Sequence, residues 1–163
     1  MLQSIKEDHL DLILEWRNDL SIRHLMINSH KISKTDHHQW FQKYVMPKKI
    51  IGLIYSEKKI HLGVVTFRET DKDILEWGFY TAPVAPTGIG TRMCTEALNF
   101  AFDKLGASKI IGRVIEFNDK SKHFHLKLGF QEQSSDLDAY QRDNKKFNIY
   151  NYHLDKEHWN QHN

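Results

Sequence analysis

The chain has 163 residues, 40% hydrophobic and 27% charged, which suits one domain over residues 1–163 with a core of ordinary size. Lys and Arg total 23 against 21 for Asp and Glu, a formal net charge of +2, so there is no whole-surface basic field of the kind a nucleic-acid binder carries. Cys94 is the only cysteine, which excludes internal disulfides, and no apolar run approaches the roughly 20 residues of a membrane span. With no signal-peptide pattern at Met1, the expected location is cytoplasmic.

In chain order, Leu2 to Ile5 reads as a short strand. From His9 to Ile27, the residues Leu10, Ile13, Leu14, Ile22, Leu25 and Met26 recur at helical spacing, with Asn18-Asp19 as a break. Ser33 is placed to cap another short helix carrying His37, Trp40, Phe41 and Tyr44, which Pro47 ends. Ile50 to Tyr55, Ile60 to Arg68 and Ile74 to Tyr80 read as three strands. Short turns around Glu57-Lys58 and Thr70-Asp71 predict an antiparallel meander.

After Gly88-Ile89-Gly90, the residues Cys94, Ala97, Leu98, Ala101, Phe102 and Leu105 mark one face of a helix that Gly106 stops. Lys109 to Ile115 is a fifth strand. A helix opening at Asn118 is expected to bury Ser121, Phe124 and Leu128 before Gly129 ends it, and Phe130 to Gln133 with Phe147 to Leu154 close the sheet. Helices, a meander, then strand-helix-strand-helix-strand-strand make an α+β layered fold. No Cys/His cluster has ligand spacing, so no metal is expected. His158 and His162 read as solvated surface, and the tail Gln161-His162-Asn163 as frayed.

A Gly-x-Gly turn entering a helix can present backbone N–H groups to a pyrophosphate at the positive end of the helix dipole. A dinucleotide fingerprint would need a third glycine near Met93. A Walker-type loop would need Lys-Ser or Lys-Thr where Thr91-Arg92 stand. Alone, the turn is as readily structural.

Joined to Asn118-Asp119-Lys120-Ser121-Lys122-His123-Phe124-His125-Leu126-Lys127-Leu128-Gly129-Phe130, the segment Gly88 to Met93 resembles the acetyl-CoA site of the Gcn5-related N-acetyltransferases (GNAT). The resemblance implies a three-layer fold whose central mixed, mostly antiparallel sheet is splayed between its fourth and fifth strands. Acetyl-CoA would be the co-substrate. Backbone amides from Thr87, Gly88, Ile89, Gly90 and Thr91 would hold its pyrophosphate. The family's Gln or Arg is replaced by Ala85, and Pro86 has no amide to offer.

The same resemblance assigns Asn118 to the pantetheine arm. It sets His125 where a tyrosine usually protonates the departing CoA thiolate; the competing reading is an ordinary half-buried helix histidine. In Glu76-Trp77-Gly78-Phe79-Tyr80, the backbone of Phe79 and Tyr80 would pair with pantetheine and offer an N–H to the thioester carbonyl. Gly78 fits a bulge there. Glu76, through a water, is the candidate for proton removal, or else a surface carboxylate.

Glu15-Trp16-Arg17-Asn18, Leu25-Met26-Ile27-Asn28, Ile32-Ser33, His37 and Trp40 resemble a narrower group, the PseH-type sugar-nucleotide N-acetyltransferases of pseudaminic acid synthesis. That implies the 4-amino group of UDP-4-amino-4,6-dideoxy-N-acetyl-β-L-altrosamine as acceptor. Arg17, Met26, His37, Trp40 and Tyr80 would line its pocket, and the product would feed flagellin or another surface glycan. Met26 and Trp40 also read as core residues on amphipathic helices. The remaining alternatives are acetylation of a protein N-terminus or polyamine, and a CoA-binding module without catalysis. The expected state is a monomer or homodimer with no nucleic-acid or membrane partner.

Overall fold

The β-branched and aromatic runs form seven strands: β1 (Leu2–Ser4), β2 (Ile51–Glu57), β3 (Ile60–Asp71), β4 (Ile74–Thr81), β5 (Lys109–Ile115), β6 (Gln131–Arg142) and β7 (Lys145–Asp155). The computed structural model describes residues 1–162 and joins these strands into one sheet, in the order β1-β2-β3-β4-β5-β7-β6. All neighbours are antiparallel except β4 and β5. Helices α1 (Leu10–Asn18), α2 (Leu20–Arg23) and α3 (Lys34–Trp40) precede β2. Helix α4 (Ile89–Asp103) joins the parallel pair, α5 (Asp119–Lys127) follows β5, and α6 (Lys156–His162) follows β7.

Alternation along the central strands builds a core on each face. Ile54 and Val64 pack with Ile13, Trp16, Ile22 and Phe41 of the N-terminal segment. Leu53, Tyr55, Val65, Phe67 and Trp77 pack against Met93, Ala97, Leu98 and Ala101 of α4. The sheet is thus the middle of three layers. Burying a side chain such as Leu98, wholly enclosed here, contributes ~1.5–3 kcal/mol.

The local signals act as expected at several ends. Asp19 breaks the first helix because its carboxylate accepts from the Ser21 amide at 2.8 Å. Ser33 caps α3 by accepting from the Asp36 amide at 3.0 Å. Gly106, at φ +73°, lets the Ala107 amide return to the Ala101 carbonyl after α4.

Five expectations need correction. Gly78 is not a bulge: Thr66 opposes it in an unbroken part of the β3–β4 register, and the irregularity lies between Glu69 and Asp71. The following turn is accordingly later, with Asp73 at φ 59°. In α5 the most buried side chain is His125, while Ser121 and Phe124 are half-buried. Finally, β6 is far longer than Phe130 to Gln133, and it joins β7 through Asp143-Asn144 at φ 50° and 61°, a two-residue turn of the type that favours Asp and Asn. The segment after β7 is helical, and His158 is half-buried rather than solvated. The fraying expected at Asn163 and the surface placement of the His162 side chain lie outside the described residues.

Candidate active site

Strands β4 and β5 pair from Ile74↔Lys109 to Trp77↔Gly112 and no further. Beyond that point Gly78 to Thr81 keep their β3 partners, and Arg113 to Ile115 keep their β7 partners. The facing edges therefore diverge, which leaves alternate backbone groups of β4 without a strand partner. Phe79 and Tyr80 lie in this stretch. An extended amide-containing ligand can complete such an edge by strand-like hydrogen bonding.

His125 projects from α5 to the apex of the divergence. Its Nε2 accepts from the Trp77 indole N–H at 3.1 Å, and its Nδ1–H donates to the Ser121 carbonyl at 2.8 Å. Phe79, Phe130 and Tyr152 surround the ring at centroid distances of 5.6, 5.0 and 5.4 Å. A Cβ on Gly112 would collide with Nε2, so the bare glycine is what admits the imidazole. Burial holds the ring well below the usual histidine range, at about 4, against a smaller opposing pull from the Ser121 carbonyl. At neutral pH this is an uncharged imidazole whose one proton and one lone pair are both committed. Desolvation thus disfavours the cation that a proton donor at this position would need.

Gly88 caps α4 in the left-handed region, at φ +88°, where a side chain would be strained. A Cβ on Gly90 would sit 3.7 Å from Thr81 and 3.9 Å from the Phe124 ring, ordinary contact distances that place Gly90 between β4 and α5. The first-turn amides of a helix have no acceptor within it. One predicted donor is engaged: the Ile89 amide bonds the Pro86 carbonyl at 3.3 Å, and the Ile89 side chain is core. Thr87 is exposed and Thr91 half-buried at this end. These features fit a CoA pyrophosphate, with the thioester arm running along Gly78 to Thr81. Asn118 caps α5, its Oδ1 accepting from the Ser121 amide at 3.1 Å, which leaves its side-chain N–H₂ as a donor facing outward from that bond.

On the other face of β4, the predicted acceptor residues gather. Met26, Trp40 and Tyr80 all pack on the N-terminal core, and the His37 ring stacks on Trp40 at 5.3 Å with planes 19° apart. Arg17 lies close enough to influence both His37 and Tyr80. Its Nη2 donates to the Asn28 carbonyl at 2.5 Å, while Nη1 is the one buried side-chain nitrogen or oxygen without a hydrogen-bond partner among the described residues. Burial lowers the Arg17 pKa, and burial followed by the Arg17 charge lowers that of His37. Burial raises the Tyr80 hydroxyl. Glu76 sits on the same face as Tyr80 and pairs with cross-strand Arg68 at 2.9 Å.

Sequence reasoning missed what holds the loop between α2 and α3. Asn18 bonds both the amide and the carbonyl of Ile32 at 2.8 Å, and Arg23 donates to the Ser29 carbonyl at 3.0 Å. Arg142, from β6, donates to the carbonyls of His24 at 2.6 Å and Met26 at 3.1 Å. No local signal marks Arg142, since its partners lie 118 and 116 residues away.

Comparisons agree with this geometry. The structure is similar to a spermidine N-acetyltransferase from Vibrio cholerae solved with CoA and spermine, at TM-score 0.89 and 17% identity over 98% of this chain and 96% of that one. An N-acetyltransferase from Staphylococcus aureus Mu50 is similar at TM-score 0.82 and 18% identity, over 95% of this chain and 97% of that one. At these identities the likeness establishes the fold. No curated protein matches the sequence. A family model described as an acetyltransferase (GNAT) domain matches residues 1–131, and with the splayed sheet and glycine turn in place, this chain belongs to the GNAT family of acetyl-CoA-dependent N-acetyltransferases.

Proposed function

We propose that the acceptor is an amine on an anionic, ring-bearing molecule, of which a UDP-linked 4-amino sugar of the pseudaminic acid type is the candidate. The observation that carries this reading is Arg17. A guanidinium with a buried, unpartnered Nη1 is costly unless an anion reaches it, and a diphosphate is well matched to its geometry. The half-buried Trp40, stacked on the His37 ring that feels the Arg17 charge, supplies an aromatic surface for a base. A polyamine would instead bring like charge to Arg17.

In this reading the neutral amine attacks the acetyl carbon, the N–C bond forms, and the C–S bond breaks. Backbone N–H groups of the unpaired β4 edge, at Phe79 or Tyr80, stabilise the oxyanion. The amine proton passes to solvent through a water held by Glu76, whose pairing with Arg68 keeps the carboxylate aimed along the acceptor face. The leaving thiolate belongs to a class with an ordinary pKa near ~8.5, so its departure does not require an acid at His125. His125 instead fixes the Trp77 wall of the thioester channel.

A second reading is supported by the similar Vibrio cholerae enzyme, whose solved complex contains spermine: here the acceptor would be a polyamine. Thiol release from acetyl-CoA with the UDP-4-amino sugar, spermidine and a short peptide separates the two. Preference for the sugar nucleotide, lost in Arg17→Met with acetyl-CoA affinity retained, supports the first reading. Preference for spermidine, with Arg17→Met as active as wild type, overturns it in favour of the second.

A further inference from the structure

The GNAT pattern places a long polar side chain three residues before the first loop glycine, and this chain has Ala85 there. The phosphate turn thus has no cation from the usual position. A replacement comes from the other side of the loop. Side chains on a helix lean toward its N-terminus and lie over the residue four positions earlier. Arg92, one turn into α4, accordingly runs back onto Gly88, and a Cβ on Gly88 would lie 3.0 Å from Arg92 Nη1.

The guanidinium is held in place. Its Nε and Nη2 donate to the two carboxylate oxygens of Glu57 at 2.6 and 3.1 Å. Glu57 is itself fixed by the Tyr55 hydroxyl, which donates to it at 2.7 Å. This bidentate pairing engages one edge of the guanidinium. Nη1 is left outside that pairing and lies against Gly88 at the N-terminus of α4, where the first-turn amides have no acceptor within the helix. Gly88 therefore serves two needs, a positive φ of 88° and the room that Arg92 occupies.

We propose that Arg92 is a cofactor-binding residue, its Nη1 donating to a pyrophosphate oxygen of acetyl-CoA and supplying the cation absent at Ala85. Glu57 and Tyr55 act as positioning residues for it. The inference concerns the acyl donor alone, so it does not depend on which amine is acetylated.

Calorimetric binding of CoA, 3′-dephospho-CoA and S-acetylpantetheine to wild type and Arg92→Ala tests the assignment. Loss of one charge-assisted contact predicts Kd weakened roughly ten- to hundredfold for both CoA forms. Affinity for S-acetylpantetheine, which lacks the pyrophosphate, stays at the wild-type value. Ala85→Arg added to Arg92→Ala returns part of the lost affinity by restoring a cation from the family's usual side. Wild-type CoA affinity in Arg92→Ala overturns the proposal, and so does an equal loss for all three ligands, which would mean that the turn itself had collapsed. A loss confined to CoA and absent for 3′-dephospho-CoA also overturns it, by moving Arg92 to the 3′-phosphate. Circular dichroism and a second variant, Arg92→Gln, guard against misfolding; Arg92→Gln is expected to weaken both CoA forms like Arg92→Ala, and wild-type affinity there likewise overturns the assignment.

Discussion

At the residue scale, the imidazole of His125 is governed by its surroundings more than by its chemistry. Its folded pKa of about 4 lies below the ordinary 6.5 because burial penalises the cation. For a base depressed in this way, the stabilising effect is complete above pH 6.5. It is lost as pH falls from 6.5 toward 4, where the unfolded chain takes a proton that the folded chain refuses. The difference corresponds to about 3 kcal/mol across that window. His9, His37 and His153 are shifted in the same direction, so a comparison of variants is needed to isolate the contribution. Urea unfolding at pH 7.5 and 4.5 should show a stability drop smaller by about that amount in His125→Gln than in wild type. Equal drops would mean that His125 is not the group responsible. The position of His125 in the motif was legible in the sequence. Its neutrality was not, because that depends on Trp77, Gly112 and Tyr152 closing around it.

At the element scale, the loop from His24 to Ile32 has little regular structure, and side chains from three elements fasten its backbone. Arg17 and Asn18 of α1, Arg23 of α2 and Arg142 of β6 together engage the carbonyls of His24, Met26, Asn28, Ser29 and Ile32. Arg142 also lies over the Phe117 ring at 5.0 Å and donates to the Tyr140 hydroxyl at 2.8 Å. Its removal should free the segment that carries Met26. Arg142→Ala is expected to raise KM for the amine roughly tenfold through the loss of two hydrogen bonds to the loop, with KM for acetyl-CoA unchanged. Steady-state kinetics varying each substrate in turn checks this, and equal changes in both would point to general destabilisation. Elements with internal periodicity were readable in advance, as α4 was from Cys94 to Phe102. Strand β6 was not, because ten of its twelve residues are exposed and no apolar alternation marks it; its extent comes from pairing with β7.

For the whole molecule, the two cores rest on one sheet, and the C-terminal helix seals the larger of them. Trp159 is 4% exposed, packs beside Phe102 at 6.4 Å and donates its indole N–H to Asn99 at 2.8 Å. Trp159→Ala should lower unfolding free energy by about 3–5 kcal/mol. Chemical denaturation reads this as an earlier midpoint at similar slope, and a change under 1 kcal/mol would show that α6 contributes little to the core. Among the described residues, no helix is long and apolar enough to cross a membrane.

By itself, the sequence determined the element order from β1 to β7, the Gly88 turn, the Ser33 and Asn118 caps and the family, since each rests on residues adjacent in the chain or at helical spacing. Only the tertiary structure decided that burial disfavours a charged His125, that Arg17 keeps an unpaired nitrogen, that Arg142 holds the loop between α2 and α3 and that Arg92 lies over Gly88. The physical reason is that charge state and hydrogen-bond satisfaction depend on what the rest of the fold brings within a few ångströms, and those partners are mostly distant in sequence.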